Sequence, residues 1–255
     1  MFENRVIPCL QLLDSNLVKT VKFKKYTYIG DPLNTCRIFN ELEVDEMVIL
    51  GIRTTINGEK PNFKLLERLT SECFMPLSYG GGISEYEDAK KLFKVGFEKV
   101  VINSALYRNI DLAKEVTDTY GTQSLIASID VKKNLLGRYE LYSNSGTKKE
   151  AIELEKWLEQ LQDVGVGEIL LTNIANEGTW NGFDLSLIKK VASLTSVPLI
   201  VQGGAGSRKD VEDAVNIGGA SAVGLGSMVV FQKKDMGVLV NYDHEYSFNK
   251  GGNEK

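Results

Sequence analysis

The chain of 255 residues is 43% hydrophobic and 25% charged, a composition that excludes disordered, collagen-like and disulfide-stapled proteins. Lys and Arg number 30 against 34 Asp and Glu, and the net charge of −4 provides no overall positive field for nucleic acid. Apolar runs such as 197–201 are far shorter than the roughly 20 residues that cross a bilayer. Because the N-terminal segment has no targeting pattern, we expect a soluble, cytoplasmic protein that binds neither nucleic acid nor membrane.

Short apolar runs alternate with longer amphipathic stretches along the whole chain. The runs predict eight strands, at 6–12, 46–50, 76–78, 99–102, 124–129, 168–171, 198–201 and 222–224. The amphipathic stretches predict helices at 33–42, 63–72, 85–95, 111–120, 151–164, 185–194 and 208–217. Since strand–helix alternation forces a parallel sheet, the pattern predicts an α/β fold, a (β/α)8 TIM barrel, with an open doubly wound sheet as the alternative.

An internal repeat separates these two folds. Segment 45–52 matches 167–174, and the proline-led segment 76–84 matches 198–207, both with a shift of 122 residues. A half of four βα units that occurs twice favours a closed barrel with two-fold half-barrel symmetry. We therefore predict a single barrel domain over 1–255, with half-barrels at about 1–120 and 121–245 and a polar tail at 243–255.

Two glycine-rich turns follow strands at matching positions of the two halves. Glycine lets the backbone approach an anion, so that N–H groups can point at phosphate oxygens. The next strand in each half ends in a small polar pair that is placed to open a short helix. The alternative is that these glycines only make tight turns. Their pairing predicts two opposed phosphate sites, formed by Gly81, Gly82, Asn103, Ser104, Gly203, Gly204, Gly226 and Ser227.

A single carboxylate, Asp130, ends the fifth predicted strand. Strand alternation points it into the mouth of the barrel, where shielding from water can raise its pKa and suit it to general acid or base catalysis. The alternative is a solvated Asp that caps the next turn. Its counterpart in the first half is Gln11, which cannot transfer a proton at neutral pH.

Four charged residues precede strands at the opposite end of the barrel. Unlike charges on a narrow ring can close it as a lattice of salt bridges, and ordinary surface ion pairing is the alternative. The four residues are Arg5, Glu46, Lys99 and Glu168.

The histidine and cysteine content excludes several classes of catalysis. His244 is the only histidine, which excludes Ser-His and Cys-His catalysis and His-ligated zinc, and we expect neither a metal nor a cofactor. The three cysteines, Cys9, Cys36 and Cys73, are interpreted as reduced structural thiols. The basic segment 19–25 predicts either a mobile lid over an anionic substrate or a solvated loop.

These residues resemble, over essentially the whole chain, the cyclase subunit of imidazole glycerol phosphate synthase, the HisF-type barrel. In that family ammonia enters from a class I glutaminase docked at the N-terminal face, through a gate of four charged residues that the four above match. The resemblance makes Asp130 the presumed general acid and places Gln11 where the general base should be. The motifs that carry it span 5–10, 30–32, 45–46, 80–83, 99–103, 128–130, 167–172 and 203–206.

Two further departures from the family pattern lie near the mouth. Gly51 replaces an Asp, and Glu177 replaces the Asp of an Asp-Gly-Thr motif, whereas Thr172 is retained as an expected substrate contact. The combination is similar to a sister branch linked to surface glycan biosynthesis, such as lipopolysaccharide, in which ammonia converts an acetamido sugar into an acetamidino sugar with a third, amidotransferase protein.

The resemblance implies three alternatives. The first is ammonia delivery to a phosphorylated acceptor, a nucleotide-linked sugar. The second is the imidazole-forming step of histidine biosynthesis, with Glu177 taking the role that Gln11 has vacated. The third is a non-catalytic ammonia conduit.

Overall fold

Alternating inward and outward apolar side chains build a closed ring of parallel strands in the computed structural model, which describes residues 5–244. Within these residues the strands are β1 Arg5–Leu13, β2 Asn16–Val21, β3 Lys24–Gly30, β4 Met47–Gly51, β5 Leu77–Gly80, β6 Lys99–Ile102, β7 Leu125–Lys133, β8 Tyr139–Ser143, β9 Lys148–Lys149, β10 Glu168–Asn173, β11 Leu199–Gln202 and β12 Ala222–Leu225. The ring runs β1, β4, β5, β6, β7, β10, β11, β12, and β12 pairs with β1 to close it. The predicted barrel is confirmed.

In the described part of the chain, seven long α-helices cover the outside of the ring, and an eighth is a single turn. They are α1 Pro32–Glu41, α2 Phe63–Glu72, α3 Tyr86–Lys94, α4 Asp111–Tyr120, α5 Leu154–Asp163, α6 Leu185–Leu194, α7 Arg208–Asn216 and α8 Ser227–Val230. Several helices begin at the predicted residue, where a side chain caps the first turn. At the start of α2, for example, Asn62 accepts a hydrogen bond from the Leu65 N–H. The seven helices predicted from periodicity are confirmed, with ends that differ by at most a few residues.

Apolar side chains fill the inside of the barrel between its two ends. They come from alternate positions of the strands. On each strand, the inward-facing residue that precedes them lies at the N-terminal end of the barrel, and the one that follows them lies at the C-terminal end. This inner cluster contains Ile7, Cys9, Val48, Val101, Ile126, Leu170, Ile200 and Ala222, all buried. A second, larger cluster lies between the strands and the helices. The barrel interior is therefore a packed apolar core that separates two polar ends.

Two segments differ from the sequence prediction. The basic segment expected as a lid or solvated loop forms the hairpin β2–β3, which extends from β1 beyond the barrel, and β8–β9 similarly extend from β7. The pair Asn103–Ser104 does not open a helix. It begins a series of turns, because Ala105 O accepts the N–H groups of Arg108 and Asn109 before α4 starts.

After the one-turn helix α8, the chain forms bends and turns over 232–236 and then continues without a regular strand to residue 243. A bridge joins Phe231 to Val238, and the buried Tyr242 donates its hydroxyl to Val6 O in β1 at 3.1 Å. Of the predicted polar tail 243–255, residues 245–255 lie outside the described part, as do residues 1–4. No helix between residues 5 and 244 is long and apolar enough to cross a membrane.

Candidate active site

A cavity of about 390 Å³ opens at the C-terminal ends of the barrel strands. This mouth is where (β/α)8 barrels assemble their functional residues. Almost all the residues predicted for the mouth line it: Gln11, Gly81, Gly82, Asn103, Ser104, Asp130, Glu177, Gly203, Gly204, Gly226 and Ser227. Thr172, the expected substrate contact, is not among the lining residues; its side chain is fully buried, and its Oγ1 accepts a hydrogen bond from Gln202 Nε2 at 2.8 Å.

Asp130 is buried at the end of the inward face of β7. Asn103 Nδ2 donates to Asp130 Oδ2 at 3.0 Å, and Thr172 supplies a second hydrogen bond. Burial raises the pKa of Asp130 to about 7, although the hydrogen bonds from Thr172 and Asn103 and the charge of Lys132 oppose the rise. This carboxyl group is therefore poised to exchange a proton near neutral pH.

Asn103 has one atom in this site with no partner. While Nδ2 is bonded to Asp130, the carbonyl oxygen Oδ1 is buried and accepts no hydrogen bond from any residue between 5 and 244. A buried acceptor without a donor carries a free-energy cost that a ligand N–H or O–H group can remove. The arrangement places a vacant acceptor next to the candidate acid.

Gln11 lies across the mouth from Asp130 and is held by the hairpin that follows β1. Its Oε1 accepts the Thr20 N–H at 2.9 Å and lies 3.1 Å from the Thr20 hydroxyl oxygen. Its Nε2 donates to Glu177 Oε1 at 3.3 Å. Both ends of the amide are therefore used within the protein, and this neutral group is fixed in place.

Glu177 reaches Gln11 from the loop after β10 and is the centre of a buried polar network. Lys19 Nζ pairs with its Oε1, and the Thr20 hydroxyl donates to the same atom at 3.0 Å. The Phe23 N–H donates to Oε2 at 3.1 Å. Sequence analysis missed the contacts of Lys19 and Thr20 with Glu177, and the β-branched residues Val18, Thr20 and Val21, which favour a strand, were the signal that could have indicated the hairpin.

The hairpin β2–β3 spans part of the mouth because of these contacts. Lys22 N–H donates to Glu177 O at 2.9 Å, so both the backbone and the side chain of Glu177 hold the hairpin turn. We call residues 16–30 the roof hairpin. It is a paired and anchored element where a mobile lid or loop was predicted.

The two glycine-rich turns have the backbone that the sequence predicts. Gly81 and Gly204 have φ values of 110° and 135°, and a Cβ at either would lie 2.2 Å from a backbone carbonyl oxygen, that of Gly51 at the end of β4 or that of Gly182 before α6. Some of the expected phosphate donors already have protein partners, since Gly82 N–H donates to Thr55 Oγ1 at 3.2 Å. Ser104 Oγ accepts the Asn144 N–H at 2.9 Å.

The four charged residues at the other end form one ion-pair ring. Arg5 lies 3.0 Å from Glu46 and 2.5 Å from Glu168, while Lys99 contacts Glu168 and lies 3.9 Å from Glu46. Burial raises the pKa of Glu46. Burial would also raise the pKa of Glu168, but hydrogen bonds from Arg5 and Lys99 outweigh it and lower that pKa. The predicted lattice is present, and it closes the apolar interior at the N-terminal end.

An Arg5→Met variant should lose about 2–3 kcal/mol of unfolding free energy at pH 7, because two partly buried carboxylates lose a cation. The loss should shrink as the pH falls below about 4, where a protonated Glu168 no longer needs a cation. Urea unfolding across pH measures both effects. Arg37→Met is the control, since Arg37 pairs with Glu72 on the exposed surface. Equal losses in the two variants would contradict the buried ring.

Gly51 is explained by a side chain on the neighbouring strand. A Cβ at position 51 would lie 2.5 Å from the hydroxyl of Tyr79 and 2.9 Å from Thr54 Oγ1. Tyr79 is buried, and its hydroxyl bonds to Thr54, although burial is the larger influence and raises the pKa of Tyr79. A phenol and a threonine therefore fill the wall of the mouth where the family pattern has a carboxylate.

Gly51→Ala should cost about 1–3 kcal/mol of unfolding free energy because the new methyl group overpacks this wall. Removing the hydroxyl with Tyr79→Phe should relieve the clash, so the double variant should lose at least about 1 kcal/mol less than the sum of the single variants. Denaturant unfolding of all four proteins measures this coupling. Additive losses would show that Tyr79 does not exclude a side chain at position 51.

Fold and site together define a class: a (β/α)8 barrel in which a charged ring and a polar mouth lie at opposite ends of one apolar interior. The sequence profile described as "Histidine biosynthesis protein" matches residues 5–235. The chain belongs to the family of HisF-type cyclase subunits of imidazole glycerol phosphate synthase.

Several curated relatives align along nearly the whole chain. The protein provisionally named imidazole glycerol phosphate synthase subunit hisF2 from Pseudomonas aeruginosa is 44% identical over 95% of this chain and 96% of its own length. The protein provisionally named subunit hisF3 from Vibrio vulnificus is 42% identical over 95% of this chain and 94% of its own. Imidazole glycerol phosphate synthase subunit HisF from Natranaerobius thermophilus is 35% identical over 95% of this chain and 96% of its own.

Proposed function

We propose that this chain is a synthase subunit that takes ammonia from a class I glutaminase docked at the N-terminal face and delivers it to a phosphorylated acceptor in the mouth. The ion-pair ring, the apolar interior and the mouth lie in that order along the barrel, which supports a route for a small neutral molecule. The acceptor is a nucleotide-linked sugar, whose acetamido group becomes an acetamidino group. A third, amidotransferase protein takes part in that modification.

The observation that carries the proposal is that no free carboxylate lies opposite Asp130 in the described part of the chain. Imidazole formation in the family pairs an acid with a carboxylate base, and here the neutral Gln11 stands in place of the base. The nearest carboxylate, Glu177, is paired with Lys19 and accepts hydrogen bonds from Gln11, Thr20 and Phe23. The oxygen lone pairs of this carboxylate are used by donors within the protein, so they are not directed at a substrate in the cavity. The mouth therefore favours chemistry that needs one acid.

Asp130 and Asn103 suit such a reaction. An acetamido group becomes an acetamidino group when a C–N bond to ammonia forms, the C–O bond breaks and the oxygen leaves as water. Asp130, with a pKa of about 7, holds the proton that the leaving oxygen needs. The unpartnered Oδ1 of Asn103 can accept an N–H bond from the incoming ammonia beside it.

A second candidate is imidazole glycerol phosphate formation in histidine biosynthesis, which the names of the curated relatives favour. The residue that supports this candidate is Glu177. Its carboxylate lies within hydrogen-bond distance of the Gln11 amide and is therefore close to the position of the missing base. Glu177→Gln would have to abolish activity with Asp130 intact for this candidate to hold. A non-catalytic conduit is the third candidate, and the raised pKa of Asp130 argues against it.

The test compares ammonia-dependent turnover of the family's bisphosphate nucleotide substrate by the wild type, Gln11→Asp and Asp130→Asn. We expect the wild type to be inert and Gln11→Asp to gain turnover, because the substitution restores a carboxylate opposite Asp130. Imidazole product from the wild type, lost in Asp130→Asn, would overturn the proposal in favour of the second candidate. Incorporation of labelled ammonium into a nucleotide-linked acetamido sugar, lost in Asp130→Asn, is the positive result.

A further inference from the structure

Four charged side chains of the described part of the chain line the cavity at the mouth: Lys19, Arg53, Asp130 and Glu177. Lys19 and Glu177 pair with each other, and the buried Asp130 is bonded to the neutral Asn103. Arg53 occurs in no ion pair between residues 5 and 244, and its guanidinium keeps its charge at any physiological pH. Within the described chain, Arg53 is therefore a cation of the cavity wall without a counter-charge.

The roof hairpin fixes the direction of this guanidinium. Arg53 follows β4, and its Nη1 donates to the Tyr26 hydroxyl at 2.8 Å; Tyr26 also lines the cavity. This bond uses one of the five N–H groups of the guanidinium, so the others can reach a ligand. Arg53 also has a φ of 68°, in the left-handed region, and non-glycine residues held there cluster at ligand sites. The cavity thus has an oriented donor group with a positive charge.

The loop that carries Arg53 also changes the glycine-rich turn after β5. Thr55 Oγ1 accepts the Gly82 N–H at 3.2 Å, which removes one of the backbone donors expected to bind phosphate. A Cβ on Gly82 would lie 2.6 Å from Thr54 Cγ2, so this loop and the turn are in direct contact. The loop therefore withdraws a backbone N–H from the turn and supplies a guanidinium from Arg53, two residues before Thr55.

The second half of the mouth differs from the first in charge, although its glycine-rich backbone is alike. The cation that approaches it is Lys19, since a Cβ on Gly226 would lie 2.8 Å from Lys19 Cε. The ammonium group of Lys19 is already paired with Glu177, and a second anion could bind it only by disturbing a buried ion pair. The free positive charge of the described cavity lies in the first half, at Arg53.

We propose that Arg53, held by Tyr26, binds an oxyanion at the end of the acceptor that lies beside the glycine-rich turn after β5. This inference deepens the proposed function, because it assigns the anionic group of the acceptor to one end of the mouth. The site itself rests on the unpaired guanidinium in the cavity wall. Phosphate and carboxylate oxygens both match the planar fork of a guanidinium, so the experiment distinguishes these two sources.

Chemical modification locates the anion without assuming an acceptor. The full chain is treated with the arginine reagent phenylglyoxal, with inorganic phosphate, with acetate or with neither, and modification of Arg53 and Arg68 is measured by peptide mass spectrometry. Both arginines are exposed, but Arg68 lies on α2, outside the barrel. We expect the effective anion to slow modification of Arg53 several-fold and to leave Arg68 unchanged. Protection by phosphate identifies a phosphate site, and protection by acetate alone identifies a carboxylate site. Equal behaviour of the two arginines with both anions would overturn the proposal.

An NMR titration with the protecting anion, inorganic phosphate or labelled acetate, measures its affinity for the wild type and for variants. Arg53→Met and Arg53→Gly should bind it about tenfold or more weakly, whereas Arg68→Met should match the wild type. Glycine suits the positive φ at position 53, so weak binding by Arg53→Gly cannot be attributed to a strained backbone. Tyr26→Phe should weaken binding by less than Arg53→Met, since it only releases the guanidinium. Unchanged affinity in both Arg53 variants would overturn the site.

The site and the proposed function can fail separately. If Arg53 binds the anion but the wild type incorporates no labelled ammonium into a nucleotide-linked acetamido sugar, the site stands and the proposed acceptor class fails. If the wild type does incorporate it and the KM for the acceptor is the same in Arg53→Met, the proposed function stands and the anion site is wrong.

Discussion

Asp130→Asn should make the protein more stable than the wild type above pH 7 and nearly equal to it at pH 4. Burial raises the pKa of Asp130 to about 7, whereas an unfolded Asp has a pKa near 3.9. Between these values the unfolded chain releases the proton and the folded chain retains it, so ionisation favours unfolding as the pH rises. The advantage of the variant should grow from under about 1 kcal/mol at pH 4 to at most about 4 kcal/mol at pH 8.

Urea unfolding of both proteins from pH 4 to pH 8 measures this difference. The control is Asp118→Asn, because Asp118 is exposed on α4, and its stability curve should run parallel to that of the wild type. Under the proposed function, the stabilised Asp130→Asn protein should also lose about 10²–10⁴-fold in ammonia-dependent turnover. If the Asp130→Asn curve is also parallel to that of the wild type, this carboxyl group is not held neutral by the fold.

Glu177→Gln should destabilise the protein by about 3–5 kcal/mol, since it leaves the buried ammonium of Lys19 without its counter-ion. Glutamine keeps an oxygen that can accept from Thr20 and Phe23, so the lost charge is the main change. Adding Lys19→Met should recover most of the loss because the double variant has no unpaired buried charge.

Denaturant unfolding of the two single variants and the double variant gives the coupling energy of this pair. Lys22→Met is a matched control, since Lys22 lies in the same hairpin but its side chain is exposed. The control should change stability by less than about 0.5 kcal/mol. Purely additive losses in Lys19→Met and Glu177→Gln would show that the two side chains do not form a stabilising pair.

The barrel could be predicted from the sequence because its information is local and repeated. Each barrel strand is a short apolar run, each long helix has a 3.6-residue apolar period, and the 122-residue shift superimposes the two halves. The ion-pair ring could be expected because its four residues precede strands and so lie at the N-terminal end of the barrel, and in the structure Arg5 forms the expected pair with Glu168. Pattern and position were enough for these parts.

The roof hairpin could not be predicted because its turn contradicts local preference. Lys22 and Phe23 both have positive φ, 56° and 59°, at a turn where Asn-Gly or Gly-Gly is usual. Two hydrogen bonds from this turn to Glu177, 154 residues away from Phe23, offset the strain. No window of sequence around residue 22 contains that partner.

Side-chain contacts in the wall of the mouth could not be predicted from the sequence either. Gly51 was visible as a departure from the family pattern, but its cause, the Tyr79 hydroxyl, lies on a neighbouring strand. Thr172 lies at the predicted strand end, but its hydrogen bond to Asp130 and its complete burial could not be foreseen from the strand pattern. Which polar groups bond to each other and which face the cavity depends on side-chain packing, which a strand pattern does not encode.

The hydrogen bond from Tyr242 to Val6 also bears on how the barrel is made in the cell. The two residues are 236 positions apart, and β12, which closes the ring on β1, precedes Tyr242 by fewer than about twenty residues. During synthesis the first strand therefore waits for its second neighbour until almost all of the barrel has left the ribosome. Until then the unpaired edge of β1, and the apolar interior behind it, are open to other nascent chains and to chaperones.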